Sequence, residues 1–286
     1  MIRLTLCGLL LAAYALLIIP FAELQKNRPV VVKLGYLPHA QILKITSGEH
    51  RPTTAALMIM RVLFYYGTVI QKLQENVVVQ PEFYNLFKTV QRVVDLDPYN
   101  MDAYYFAQAV FTWDLGRVEE VNFLLEKGMQ SRPRDYTLPF YIGFNYAYFL
   151  KDYPKAAVFM QKAAELSGNP LYTQLTARFF YESEQSSLGL AFLESMIRSA
   201  KDKAVRKSYE LRRDALLATT LLEKARDAYR AESGHAPTNP EELVNKGFLP
   251  AVPTDPYGGT FFFDDDGRVR TTSKLAVPQE WDKGLD

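Results

Sequence analysis

Tyr153-Pro154-Lys155-Ala156-Ala157-Val158-Phe159-Met160-Gln161-Lys162-Ala163-Ala164-Glu165-Leu166 places two small residues, Ala156 and Ala163, seven apart on one helical face. Thirty-five residues upstream, Val121 and Gly128 hold the same phase, and Gln108 and Gly143 are separated by the same step. Pro98, Pro133 and Pro170 close successive units at nearly that interval. A period near 34 made of two helices is the mark of a helical solenoid. Such folds bind partners on an extended concave surface. The expected fold class is therefore mainly α, and the period points away from catalysis.

Composition narrows the function classes further. Lys+Arg 33 against Asp+Glu 32 leaves a formal charge of +1, so no global field recruits nucleic acid. A single cysteine, Cys7, rules out an intrachain disulfide and a cysteine-rich metal site. It lies in a stretch of 19 residues, Leu4 to Ala22, that carries no charge. A bilayer needs about 20 apolar residues as a helix, so this stretch fits a span. The rival is a cleaved signal peptide, but a cut after Ala22 would put Pro20 where a small residue is wanted. An uncleaved anchor at residues 1–25 is the expectation, with the lipid bilayer contacted through residues 4–22. Arg3 lies on one side and Glu23, Lys26, Arg28 and Lys33 on the other. Basic residues alone do not orient it. The short tail before the anchor is typical of bacterial signal anchors with an exported body, which suggests an inner-membrane protein, single-pass, with its body in the periplasm.

Residues 26–52 read as an extended connector, broken by Pro29, Gly35, Pro38, Gly48 and Pro52. Thr53 to Glu75 reads as a helix capped by Thr53 or Thr54, with Leu57, Met60, Arg61, Phe64, Val69, Ile70 and Leu73 recurring at spacings of three and four. A second helix, Glu82 to Leu96, presents Phe83, Leu86, Phe87, Val90, Val93 and Val94 and stops before Pro98. Lys203 to Ser233 is one long amphipathic helix with the stripe Leu211, Ala215, Ala218, Leu222, Ala225 and Tyr229, ended by Gly234. A short helix at Pro240–Lys246 follows. Then Thr260–Phe263 faces Arg268–Thr271 across Asp264-Asp265-Asp266-Gly267, a strong hairpin signal.

Met101–Pro133 and Arg134–Pro170 resemble tetratricopeptide repeats. Gly143, Tyr146, Ala156 and Ala163 match the small and aromatic positions of the family, whereas Gln108 and Val121 depart from them. Both units hold one extra residue in the inter-helix turn. Leu171–Arg198 resembles a degenerate third unit with Ala191 in phase, and residues 53–98 do so only loosely. Residues 53–202 are thus expected to form TPR-like helical repeats. Residues 203–286 are expected to form a C-terminal module that, over roughly residues 218–272, resembles the globular part of a type II secretion major pseudopilin. The match rests on Ala228-Tyr229, Gly234, Pro237, Glu242-Leu243, Gly247-Phe248-Leu249, Pro253 and Asp255-Pro256-Tyr257-Gly258, in order before the hairpin. The chain departs from that family at its start, where no pilin-type peptidase site precedes the apolar run.

The repeat resemblance implies a groove lined from each first helix. Its positions fall on Asp102, Tyr105, Ala109, Thr112 and Trp113; on Thr137, Phe140, Phe144, Ala147 and Tyr148; and on Tyr172, Leu175 and Phe179, with Glu182 and Ser183 next. Such a surface is aromatic, and aromatic residues dominate binding hot spots. Either a protein partner fills it, or the chain does so with residues 30–50 or the Lys203 helix. Catalytic constellations are absent from the sequence: no Gly-x-Ser-x-Gly, no phosphate loop, and three scattered histidines, His39, His50 and His235. Asp255, Asp264, Asp265 and Asp266 form a weak calcium candidate, because hard oxygens suit that ion, although Asp-Gly also serves a tight turn for backbone reasons. No cofactor is expected, nor an enzyme, nor a nucleic-acid or small-molecule ligand. The expected function is a membrane-anchored, non-catalytic scaffold or adaptor that binds protein partners in an envelope assembly of the secretion, pilus or surface-filament type. The alternative is an accessory subunit of a membrane enzyme or export complex whose chemistry is on another chain.

Overall fold

The computed structural model describes residues 2–26 and 32–275, and the described chain is mainly helical. It falls into two compact units that divide between Leu115 and Gly116.

The first unit begins with α1 (Ile2–Lys26), whose described side chains are all exposed. Then come α2 (Ala40–Ser47), α3 (Arg51–Gln74) and α4 (Phe83–Leu96). The connector expected to be extended is therefore helical over 40–50, because Leu43 and Ser47 find a buried face against the body. Pro38 stands just outside α2, where it breaks nothing. Pro52 sits in the first turn of α3, where a missing amide costs nothing, so α3 starts at Arg51 and not at Thr53. Its buried face differs from the expected one. Ala55, Ile59, Val62, Tyr65 and Val69 pack against α4, whereas Leu57, Met60, Phe64 and Leu73 are exposed. The start of α4 is pinned by the Glu82 amide, which donates to the Tyr65 hydroxyl at 2.6 Å. Asn100 caps α5 (Met101–Phe106), which runs on as wide π turns through Ala107–Asp114. Phe87, Phe106 and Phe111 meet edge to face in the core.

The second unit holds α6 (Val118–Ser131), α7 (Thr137–Asn145, continuing as π turns through Tyr146–Leu150), α8 (Tyr153–Ser167), α9 (Pro170–Glu182), α10 (Ser186–Ser199) and α11 (Lys203–Ser233). Wide turns thus fall at the end of the first helix of each segment where the resemblance implied one extra residue in the inter-helix turn. Buried Asn145 donates to Asn122 at 2.8 Å and ties α7 to α6. Small residues bring α7 and α8 close. A Cβ on Gly143 would stand 3.0 Å from the Met160 amide nitrogen and 3.2 Å from the Ala156 carbonyl oxygen. Ala156 and Ala163 are fully buried beside them. In the next hairpin the close approach is made by Gly189, whose Cβ would lie 2.8 Å from the Leu216 side chain and 2.9 Å from Phe180. Ala191, the in-phase position, is exposed.

α11 packs on α9 and α10 with its first half and on the C-terminal elements with its second. Ala177, Tyr181 and Leu193 meet Tyr209, Ala215, Leu216 and Tyr257 in one cluster. Ala218, Leu222, Ala225 and Tyr229 meet Leu243, Phe261 and Val269 in another. The expected border at 202/203 therefore lies inside the second unit. α12 (Pro240–Asn245) is held by Glu242, which accepts from the Tyr229 hydroxyl at 2.6 Å. The hairpin pairs β1 (Phe261–Phe263) with β2 (Val269–Thr271), Phe262 opposite Arg270. Where α11 meets α10, buried Glu223 accepts from the Ser186 hydroxyl at 2.8 Å. Burial pushes its carboxyl up to about 7, although the Ser186 bond and Arg226 act against this and Glu184 and Asp227 add to it.

Replacing Gly143 with Val should destabilise the second unit by about 1–3 kcal/mol, the cost of overpacking against helix backbone. A thermal melt reads this, and an unchanged midpoint would mean α7 and α8 do not approach closely. Glu223 carries a pH signature. Between its ordinary value of 4.5 and about 7 the folded state holds a proton that the unfolded chain has lost. Its contribution to stability is full below about 4.5 and is lost as pH rises to about 7. Glu223→Gln should flatten that part of the stability profile and raise stability at pH 8 by on the order of 1–3 kcal/mol. Melting from pH 4 to 8 checks it.

Candidate functional site

Aromatic residues on α7 and α9 form a continuous ladder in the second unit. Tyr172 from α9 stacks on Phe140 of α7 at 4.8 Å between ring centres, with the planes 24° apart. Phe140 leads to Phe144 at 6.3 Å, and Phe144 stacks on Tyr148 at 5.4 Å with planes 12° apart. Tyr136 extends the ladder at one end, 6.0 Å from Tyr172. At the other end Phe149 meets Tyr148 edge-on at 4.9 Å, and the Lys151 ammonium stands over the Tyr148 ring at 5.4 Å. The rise of the α-helix places residues four apart on one face, which aligns Tyr136, Phe140, Phe144 and Tyr148. The π turns from Tyr146 carry Tyr148 outward, so that it is 52% exposed. Phe140, Phe144 and Tyr172 are half-buried, Phe140 and Tyr172 by packing on the core around Ala156, Met160 and Phe179. Burial, with the Tyr136 phenol as a second cause, pushes the Tyr172 phenol above its ordinary value.

The expected groove positions divide into three groups. Thr137, Phe140, Phe144, Tyr148 and Tyr172 come together on this face or at its edge. Asp102, Tyr105 and Trp113 lie in the first unit, where all three are exposed; Trp113 occupies the π turns that correspond to those of Tyr148. Phe179, Thr112 and Ala147 do not line a surface. Phe179 is only 9% exposed and packs into the core with Ala156, Met160, Phe180 and Phe192, and Thr112 is fully buried. Tyr172 and Phe179, seven residues apart, share one face of α9; both pack against that core, Phe179 within it and Tyr172 at its edge. Glu182 is engaged elsewhere, paired with Arg270 of β2 at 3.3 Å. The Lys203 helix, α11, makes its contacts with α9, α10, α12 and β2, and leaves the ladder half-open. Tyr136, Phe149 and Lys151 were not among the expected positions. The aromatic density of Tyr136–Tyr153 was the signal that pointed to them.

The acidic residues serve the hairpin. One oxygen of Asp264 accepts from the amides of Asp266 (3.1 Å) and Arg268 (2.8 Å), and the other from Arg270 at 3.1 Å. Buried Asp255 accepts from the hydroxyls of Thr271 and Ser273 and from the Tyr257 amide. Asp265 and Asp266 point to solvent. Among the described residues no group of three or more His, Cys, Asp or Glu is placed to hold a metal ion. The four aspartates thus do not gather into a calcium site.

Among the described residues one helical run is long and apolar enough to cross a membrane, Ala40–Gln74, while Leu10–Leu24 of α1 is a shorter apolar helix. The stretch expected to span, residues 4–22, lies in α1 but is the shorter apolar helix; the run long enough to span is α2–α3, one side of which is packed on α4. No family model, no curated protein and no solved structure matches the chain.

Asp255→Ala should lower the melting temperature by the equivalent of about 1–3 kcal/mol, the cost of stranding its buried partners. The loss should be the same in calcium and in chelator. A melt that rises with calcium in the parent and not in the variant would restore the metal reading.

Proposed function

We propose that this chain is a membrane-anchored, non-catalytic adaptor that holds protein partners through TPR-like repeats. The observation that carries this reading is the half-open aromatic ladder Tyr172–Phe140–Phe144–Tyr148. Stacked rings on rigid helices offer large apolar contact at little cost in side-chain entropy. The partner is a peptide segment or helix with apolar and aromatic side chains, which the ladder covers while Lys151 offers one positive contact at its end. The equal spacing of Trp113 and Tyr148, each exposed on a π-helical turn, supports a repeated binding element. The close α7–α8 approach at Gly143 supports the repeat resemblance. The apolar helix α1 supports anchoring, and by the same resemblance-based argument the body is assigned to the periplasmic side of an inner membrane. The order of Tyr229, Glu242, Leu243 and the hairpin around one small core supports the pseudopilin-like reading of the C-terminal module, and with it a secretion, pilus or surface-filament assembly.

The test is site-specific photo-crosslinking in the native host from position 148. A discrete adduct with one envelope protein should form, and Phe144→Ala should abolish it. Loss of a central hot-spot aromatic commonly costs about 2 kcal/mol or more in binding. The melting temperature of Phe144→Ala should change little. A variant that loses mainly stability, on the order of 3–5 kcal/mol as for a buried aromatic, would show that the ladder is internal packing and not a binding face.

A further inference from the structure

The first unit carries a second apolar face that the adaptor reading does not use. α3 buries one side against α4, yet its opposite side is also apolar: Leu57 (63% exposed), Met60, Leu63 and Phe64 (71% exposed) succeed one another at three- and four-residue spacing. From Pro52 to Gln71 this helix holds one charged residue, Arg61. Its guanidinium is drawn aside against Gly35, whose φ of +87° and missing side chain make room for it. The run Ala40–Gln74 satisfies the length and composition of a span. Ala55, Ile59, Val62, Tyr65 and Val69 are occupied by the packing on α4, so it does not cross as a lone helix. That leaves one apolar face of α3 open, the kind of face that membrane-surface helices bury at the headgroup–acyl boundary.

The chain itself supplies the reason why lipid covers this face. Leu34 is buried in the body, and α1 ends at Lys26. Seven residues bridge the two, roughly 25 Å at full extension. With α1 in a bilayer, Leu34 is held within roughly 25 Å of the point where α1 leaves it. Ile42 and Ile45 of α2, both exposed, precede the α3 face along the same run. We propose that the outer face of α2–α3, centred on Met60 and Phe64, lies in the headgroup–acyl boundary of the membrane that α1 enters. The proposal rests on the anchored reading above, and it makes the first unit a lipid-seated base rather than a body hanging free on a tether.

The test uses the full chain with Cys7, the only cysteine, replaced by Ser. Single cysteines are introduced as Phe64→Cys, Leu17→Cys and Phe123→Cys, each labelled with an environment-sensitive fluorophore and reconstituted in phosphatidylcholine vesicles. Nitroxide-bearing phosphatidylcholines then quench by depth. The probe at 64 should lose at least half its emission to a shallow nitroxide and less to a deep one. The probe at 17 should be quenched most by the deep one. The probe at 123, on the exposed side of α6, should be unaffected. Quenching at 17 with polar, unquenched emission at 64 would overturn the proposal and leave the anchor standing. Blue-shifted but unquenched emission at 64 would also overturn it, since a second copy or another protein would then cover the face. Quenching at 64 without quenching at 17 would uphold the lipid face and reject the anchor, and no quenching at either would reject both. Met60→Cys repeats the measurement if the substitution at 64 impairs folding.

Discussion

The second unit depends on α11 having two partners along one stripe. Its first half closes the α9–α10 hairpin through Tyr209, Ala215 and Leu216, and its second half forms the floor of the hairpin module through Leu222, Ala225 and Tyr229. An apolar helix face left bare in water is costly at roughly 25 cal/mol per Å2. The two-stranded sheet alone is too small to cover 31 residues of helix. The hairpin module and the helical hairpins are therefore stabilised by the same element. Gly189, pressed between Phe180 and Leu216, shows how tightly that junction is drawn, and the buried Glu223–Ser186 bond shows that polar groups were taken into it.

Close helix approach explains the aromatic ladder. Gly143 lets α7 sit on the backbone of α8, which fixes the rotation of α7 about its axis. With Leu138 and Ile142 directed into the core, Phe140, Phe144 and Tyr148 have only the other face available. They then stack on one another and on Tyr172, which removes part of their surface from water and leaves the rest open. The π turns at the end of α7 add the last step by swinging Tyr148 and Phe149 into contact. A surface of this kind is rigid before it meets a partner, so ordering costs little on binding.

A comparable logic governs α3 in the first unit. It has apolar residues almost all round, and α4 takes one side of them. What remains is an exposed strip, Leu57, Met60, Leu63 and Phe64, interrupted by one charge, Arg61. The ladder and the strip thus differ in origin. The ladder is aromatic, self-stacked and bounded by Lys151. The strip is aliphatic with one phenylalanine.

The sequence by itself determined the helical class, the stop of α4 before Pro98, the full extent of α11, and the hairpin at Asp264–Gly267. Those features are local: a side-chain acceptor, a proline or a glycine acts on the backbone within a few residues. Phe140, Phe144, Tyr148 and Tyr172 were legible as a surface because the repeat spacing gave their phase. Tertiary structure alone decided which face of α3 is buried, because periodicity names a face only when the other face is polar, and here both are apolar. It also turned Phe179 and Thr112 inward, chose Gly189 over Ala191 for the close contact, and opened π turns at Ala107–Asp114 and Tyr146–Leu150. Each of these follows from the position of a neighbouring helix, and no local stretch of residues encodes where that neighbour will sit.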